Sequence, residues 1–217
     1  MLVRTTLKPA GLPVFPPHAD PAGDCVLARL QAEEPWRVEV AWPDGFAGGI
    51  AHRLDVSTSG AVAIADNPEA LTTLREHFTA HRLRKRYWLW AARPPRWSRH
   101  TCDRRLAHDR RHKKRMVVQR SANTPHRGRW HPAHTAFRHL GGQLVEAVIT
   151  TGVMHQIRLH AAFVGIPIRG DRLYGGGATP DDAPPGLTFY LHHVGFDGAA
   201  TSQPVPEPTW LTEARVA

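Results

Sequence analysis

Charge is segregated along this chain to a degree that constrains everything else. Between His81 and Arg129 stand 17 Lys and Arg against two acids, Asp103 and Asp109, a local charge of 17 − 2 = +15. The remaining residues carry 11 basic and 17 acidic side chains, so −6, and the whole chain is +9. Soluble surfaces normally mix the two signs, and separation on this scale points to a polyanionic partner, RNA or DNA first. From Pro94 to Pro132 no apolar periodicity survives, so this part reads as a long loop or loose hairpin, an arm rather than a source of core. Its segment Arg104 to Arg115 holds seven cations (Arg104, Arg105, Arg110, Arg111, Lys113, Lys114, Arg115) against Asp109. Such a stretch repels itself and is expected to be mobile without its partner.

On either side of the arm the sequence has ordinary globular character. At 217 residues and 41% hydrophobic content the chain can bury a substantial core in one domain or two fused lobes. No apolar run reaches membrane-spanning length, and the N-terminus lacks a charged-then-apolar signal pattern. Two cysteines, Cys25 and Cys102, argue against a disulfide framework and for a reducing compartment. Fifteen histidines leave a metal formally open. His77 and His81 are four apart on an expected helix, but the zinc-protease order is absent, and no metal is expected.

Read in order, Leu2 to Leu7 is a short strand and Lys8-Pro9-Ala10-Gly11 a turn. Asp24 can cap a helix over about Cys25 to Glu33. Arg37 to Trp42 alternates as a strand does, and Gly45 to Gly49 is a Gly-rich link that delivers the chain to His52. Asn67, Pro68 and Glu69 are a cap, a first-turn proline and an N-terminal acid for a helix running to about Arg82, with Leu71, Leu74 and Phe78 inward. Arg84 to Ala91 is an aromatic-rich strand. After the arm, Ala133 to Leu140 and Gln143 to Thr151 are strands, and a helix follows that Gly165 ends. A Pro- and Gly-rich loop, Gly176 to Gly186, leads to a final strand over Phe189 to Phe196.

Two stretches carry chemistry. The first is His52-Arg53-Leu54-Asp55-Val56-Ser57-Thr58-Ser59-Gly60: a cation, an aliphatic residue and a carboxylate, then a hydroxyl-rich turn, then the apolar run Ala61 to Ala65. A carboxylate at a loop tip beside a core strand is held rigidly and still reaches a substrate. Taken alone, an Arg-x-Asp is more often a structural pair. The second is Gly152-Val153-Met154-His155-Gln156-Ile157-Arg158-Leu159-His160, a strand end, a glycine turn and a helix start.

Together these motifs resemble the RluA-type pseudouridine synthases. His-Arg-Leu-Asp, two variable residues, then Thr-Ser-Gly is met at every fixed position, as is Gly-x-x-His-Gln-Ile-Arg-x-His. Lys8-Pro9-Ala10-Gly11, Lys85-Arg86-Tyr87, Lys114-Arg115-Met116-Val117, Ala133-x-Thr135-x-Phe137, Gly170-Asp171-Arg172-Leu173-Tyr174-Gly175 and Leu191-His192-His193 match further family motifs in the family's order, over about Lys8 to Pro208. Four residues depart: Val56 where Arg is frequent, Val153-Met154 where Arg-Thr is usual, and His193 where Ala is usual.

The resemblance implies an α+β pseudouridine synthase fold over 1–217, a mixed and largely antiparallel sheet in two lobes with a central cleft, with the basic arm at about 94–132. It implies an isomerase acting on uridines in structured rRNA or tRNA, with Asp55, Tyr87 and Arg158 catalytic and Arg158 the charge partner of Asp55. His52, Arg53, Thr58, Lys85, His155, Gln156, Ile157 and the arm cations Arg110, Arg111, Lys113, Lys114 and Arg115 are the expected RNA or substrate contacts. No cofactor or metal is implied; a monomer in the cytoplasm, binding an RNA stem-loop, is expected. The competing reading is a non-catalytic RNA-binding or assembly protein that kept the fold. A His-rich metal hydrolase is a third, and it lacks any ligand motif of defined spacing.

Overall fold

The computed structural model describes every residue except Met1, Asp182 and Pro204. In chain order its elements are β1 (Leu2–Val3), β2 (Thr5–Lys8), α1 (Val26–Glu33), β3 (Ser59–Ala63), α2 (Pro68–Thr79), β4 (Leu83–Trp90), β5 (Arg99–Cys102), β6 (Leu106–His108), β7 (Met116–Val118), β8 (Arg127–His131), β9 (Thr135–Gly141), β10 (Leu144–Ile149), α3 (Gln156–Phe163), β11 (Leu191–Gly198), β12 (Thr201–Ser202) and α4 (Leu211–Val216). The fold is α+β with mixed, largely antiparallel strand pairing. The chain forms two compact units and passes from one to the other between Lys85 and Arg86, within β4; residues 184–187 and 192–207 return to the first.

In the first unit β3 is central, antiparallel to β2 and parallel to β11. Its sequence, Ser-Gly-Ala-Val-Ala, is small-sided, and Ala61, Val62 and Ala63 are fully buried. Gly60 is required here: its φ is +116°, and a Cβ would lie 2.1 Å from the carbonyl oxygen of His193 on β11. Leu71 and Leu74 of α2 pack with Leu83, Phe196, Val3 and Ala63 to form the core. Asn67 caps α2 as expected, its Oδ1 accepting from Ala70 N–H at 2.8 Å. The helix stops at Thr79, so His81, at φ +54°, lies beyond it and shares no helix face with His77.

Three readings of the first unit are corrected. The N-cap of α1 is Cys25, whose Sγ accepts from Ala28 N–H at 3.3 Å, while Asp24 is taken by Arg29. The first strand breaks at Arg4, because β1 pairs with β12 and β2 with β3. Arg37 to Trp42 is no strand. Pro35 opens a 3-10 turn over Pro35–Val38, and Arg37 turns fully inward. Its guanidinium donates to Gly48 O at 2.8 Å, Ala65 O at 2.6 Å and Glu34 at 2.9 Å. Four backbone and side-chain partners, with Asp66, outweigh the weak strand propensity of the stretch.

In the second unit the strand order is β4-β10-β9-β5. Glu146 on β10 is buried between Arg86 on β4 and Arg138 on β9, at 2.6 and 2.9 Å. The expected loose arm is a correction: residues 94–132 contain four strands. β5 joins the edge of this sheet beside β9, and β7-β6-β8 form a separate three-stranded antiparallel sheet. Its apolar side, Leu106, Met116 and Val118, packs with Leu159 of α3 and Tyr174. These strands are three to five residues long, too short for a periodicity to register. α4, six residues long, is too short to announce itself by periodicity; Ala214 O accepts from Gln143 N–H at 2.9 Å and docks the helix against the β9–β10 turn. Asp182, in the Pro- and Gly-rich loop, is outside the described residues.

Gly60→Ala is expected to remove more than about 3 kcal/mol of stability, since the β3–β11 approach admits no Cβ and the φ is left-handed. Gly177→Ala, at φ +83° with open space around it, tests the φ cost alone and should lose about 1 kcal/mol. Urea denaturation of the two variants compares them, and equal losses would refute the close-approach argument.

Candidate active site

Asp55 sits in the loop between Ala51 and β3, partly buried, with Arg53 exposed before it and Val56 53% exposed after it. The loop is tight: Thr58 N–H donates to Asp55 O at 3.0 Å. What fixes it is Lys8, fully buried at the end of β2. Its ammonium donates to Val56 O and Thr58 O at 2.7 Å each and to Pro9 O at 3.0 Å. Gly11 N–H adds a second donor to Val56 O at 2.9 Å. The Lys-Pro-Ala-Gly turn and the Asp55 loop are thus one structural object, although 48 residues separate Lys8 from Val56. Burial lowers the Lys8 ammonium to about 8, and the Asp55 carboxylate pulls it back up. Below that value Lys8 presents three N–H donors, one for each carbonyl.

Two residues expected at RNA turn inward. Thr58 is 2% exposed and belongs to the loop's own packing. His52 accepts from Ala63 N–H through Nε2 at 3.0 Å, and its ring lies 5.3–5.6 Å from those of Phe78, His193 and Phe196. His52 therefore ties the Asp55 loop to β3. Lys85 is 8% exposed, its Nζ 5.6 Å from the Phe78 ring centroid, and burial lowers it to about 8.

The second unit carries the other motif. His155 opens α3 in the left-handed region, φ +56°. Gln156 is 3% exposed and braces the turn: its Oε1 accepts from Thr151 and from Val153 N–H, and its Nε2 donates to His134 O at 2.8 Å. Ile157 is buried too. His160, the last residue of the motif, is a buried strut between Thr135 Oγ1 and Arg104 O, both at 2.8 Å. These buried members of the motif shape the turn.

Arg158 follows them on α3. Its Nε and Nη2 close on Asp171 Oδ2 and Oδ1 at 2.7 and 2.9 Å, a bidentate pair with Asp171 1% exposed. Holding this guanidinium is what Asp171 of the Gly170-Asp171 motif does here. Breaking a pair so buried costs roughly 3–5 kcal/mol, because one charge is left uncompensated. The pair lies on the wall of a cavity of about 460 Å³, lined also by Arg172, Leu173, Thr179, Thr188 and Phe189. Tyr87 on β4 is 6% exposed, in the same unit.

The arm cations are set out on an ordered turn. Asp109 Oδ1 accepts from Arg111 N–H at 2.7 Å and His112 N–H at 3.0 Å, and Asp109 N–H donates to Arg115 O at 2.9 Å. Arg110, Arg111, Lys113, Lys114 and Arg115 are all exposed around it. The lone acid of the tip is therefore its organiser. Among the described residues no group of three or more His, Cys, Asp or Glu could hold a metal ion, and no helix is long and apolar enough to cross a membrane.

The chain matches the model described as RNA pseudouridylate synthase over residues 5–163 and belongs to that family, as its two principal motifs implied. It is 38% identical over 173 residues to an uncharacterized RNA pseudouridine synthase of Chloroflexus aurantiacus, covering 77% of this chain and 50% of that protein. It is 34% identical over 221 residues to the ribosomal large subunit pseudouridine synthase D of Xanthomonas campestris pv. campestris, covering 92% and 62%. The chain spans about half the length of the curated relatives it matches. The human RNA pseudouridylate synthase domain containing 4 shares the fold, at a TM-score of 0.68 and 21% identity over 97% of this chain and 87% of that one.

The first unit makes an acid-sensitivity prediction. Burial lowers His192 to about 4 and His193 to about 3, and holds His52 well below its ordinary value, with help from His193 and Lys85. The unfolded rings titrate near 6.5, so between that pH and about 4 the unfolded state binds protons that the folded state refuses. The contribution of these rings is complete above pH 6.5 and should fall below it, by at most about 1.4 kcal/mol per pH unit for each ring. Urea titrations from pH 7 to 4.5 should show a shallower slope for His193→Ala than for the wild type; identical slopes would discard the histidine account.

Proposed function

We propose that this chain isomerises uridine to pseudouridine in structured RNA, with Asp55 as the reacting carboxylate. The observation that carries the proposal is the Lys8 clamp: a fully buried ammonium devoted to the carbonyls on either side of Ser57 keeps one partly exposed carboxylate in place. The reaction breaks the N-glycosidic bond, rotates the uracil and joins its C5 to the ribose C1′. No electrons are exchanged and no activated donor is consumed. A carboxylate serves it as a nucleophile at the sugar or as a base toward a sugar proton. Arg158 stabilises developing negative charge, and Tyr87 offers a ring face and a hydroxyl to the base. Exposed Arg53 fills the stack when the uridine is extruded, a step that costs a few kcal/mol.

The +15 region supplies affinity for the RNA backbone. The ribosomal substrate named for the Xanthomonas relative supports rRNA, in a stem-loop whose bases are splayed, as the target. Two free, buried cysteines agree with work in the cytoplasm.

Asp55→Asn tests the chemistry. It should abolish pseudouridine formation on unmodified rRNA transcripts while leaving the melting temperature and RNA affinity close to wild type, since the amide keeps the shape and loses the charge. Product formed at more than a trace by the pure variant would end the assignment.

Neutralising Arg110, Arg111, Lys113 and Lys114 tests the arm. Each phosphate contact on single-stranded RNA adds about 0.7 to the slope of log affinity against log salt. The quadruple variant should bind RNA more weakly whatever its sequence, with a flatter salt dependence, and its single-turnover rate at saturating RNA should change far less. Filter binding at four salt concentrations gives the slope. An unchanged slope would remove the arm from the phosphate backbone.

A further inference from the structure

The loop Ile168 to Gly176, with Phe189, encloses the Arg158 guanidinium on several sides. Asp171 takes it in a fork, the Tyr174 ring centroid lies 5.1 Å from its central carbon, and the Phe189 centroid lies 4.2 Å from it. The loop itself is closed. Asp171 N–H donates to Ile168 O at 3.0 Å, Gly176 N–H to Asp171 O at 2.8 Å and Gly170 N–H to Gly176 O at 3.0 Å. A Cβ on Gly176 would sit 1.7 Å from Ile168 O, so the turn has no slack. Asp171 Oδ1 also accepts from Leu173 N–H at 3.2 Å, which fixes the carboxylate's rotation.

Tyr174 extends the arrangement. Its hydroxyl accepts from Met116 N–H on β7 at 3.0 Å and bonds His155 Nδ1 at 2.8 Å. Burial raises that hydroxyl to about 12, so it stays protonated at working pH and serves both partners as a neutral group. One tyrosine thus links the arm's sheet, the first turn of α3 and the face of the guanidinium.

We propose that Asp171 and Tyr174 are positioning residues for Arg158: the closed loop sets the direction of the guanidinium, and the Tyr174 hydroxyl fixes that loop against β7 and α3. Neither residue touches substrate in this scheme; both act through Arg158. The proposal rests on the reading of Arg158 as a participant in uridine isomerisation. A fork of this kind leaves Arg158 a single orientation, where a lysine would offer a rotating point charge. Misplacement of a catalytic group by about 1 Å costs on the order of 100-fold in rate.

The test uses the full chain and unmodified rRNA transcripts. Arg158→Ala, Asp171→Asn, Tyr174→Phe and the double variant Arg158→Ala/Asp171→Asn are compared in single-turnover rate at saturating RNA, RNA affinity and melting temperature. Asp171→Asn should lose on the order of 100-fold in rate with affinity nearly unchanged, and Tyr174→Phe about tenfold. Millimolar methylguanidine should restore activity to Arg158→Ala and raise its melting temperature, because the Asp171 carboxylate and two aromatic rings still form a guanidinium receptor. Neither effect should appear in the double variant, which lacks the carboxylate and carries no uncompensated charge into its core. This comparison stands even if Asp171→Asn alone does not fold. Wild-type rate in Asp171→Asn, or equal rescue with and without the carboxylate, would overturn the positioning role while leaving Arg158 in the reaction. Wild-type rate in Arg158→Ala would instead remove Arg158 from the reaction, and the positioning role with it.

Discussion

A buried ammonium organises the first unit. Taking Lys8 out of water is costly, and only complete coordination offsets that cost. The coordination is supplied by main-chain carbonyls, Val56 and Thr58 on the loop and Pro9 beside it, with the Asp55 carboxylate lending charge from farther off. Carbonyls satisfy the cation without neutralising it, so the positive field remains available to Asp55. The register of β2 on β3 makes this possible by setting Lys8 directly opposite Gly60, at the end of the same loop. Strand pairing, glycine and ammonium are therefore interdependent, and the loop keeps its shape only while all three are present.

The second unit solves the converse problem. There a guanidinium must be held, and the partner is a carboxylate, Asp171, with aromatic faces around the rest. The pair is formally neutral, which suits a wall of a cavity better than a naked charge would. Buried polar struts recur through this unit: Gln156 and His160 brace the turn before and along α3, and Glu146 joins two arginines from flanking strands. Directional bonds of this kind leave the bonded side chains few alternative arrangements.

Local signals were read well where they were local. Asn67-Pro68, the alternating Gln143 to Thr151 and Gly165, at φ +86° after α3, each announce themselves within a few residues. The Asp55 and Arg158 motifs were visible because their residue types are unusual at such density. What the sequence hid was partnership at a distance. Lys8 looked like a turn residue, because its three acceptors are backbone groups that any sequence would supply. Asp171 looked like a loop residue, because Arg158 reaches it across a helix and a turn. His52 and Gln156 are bonded by backbone groups of other elements, Ala63 N–H donating to the first and His134 O accepting from the second, and nothing in their own motifs announces those partners. The arm hid its strands through brevity. Arg37 misled through alternation, since its neighbours Trp36 and Val38 are the exposed ones.

The hairpin tip between Asp109 and Arg115 is closed by its own backbone, and its strands are anchored from beneath by Leu106, Met116 and Val118. Anchor and tip share no side chain. The tip is in effect an exchangeable cassette: length and composition between the two closing residues can change while the strands, and the helix under them, keep their packing. The charge of the tip can then drift by mutation at a place where drift leaves the packed strands undisturbed. Asp109 is the exception within the cassette, because its carboxylate caps the turn that every other tip residue decorates. Retargeting this hairpin, by selection or by design, would begin with the five cations and leave that acid alone.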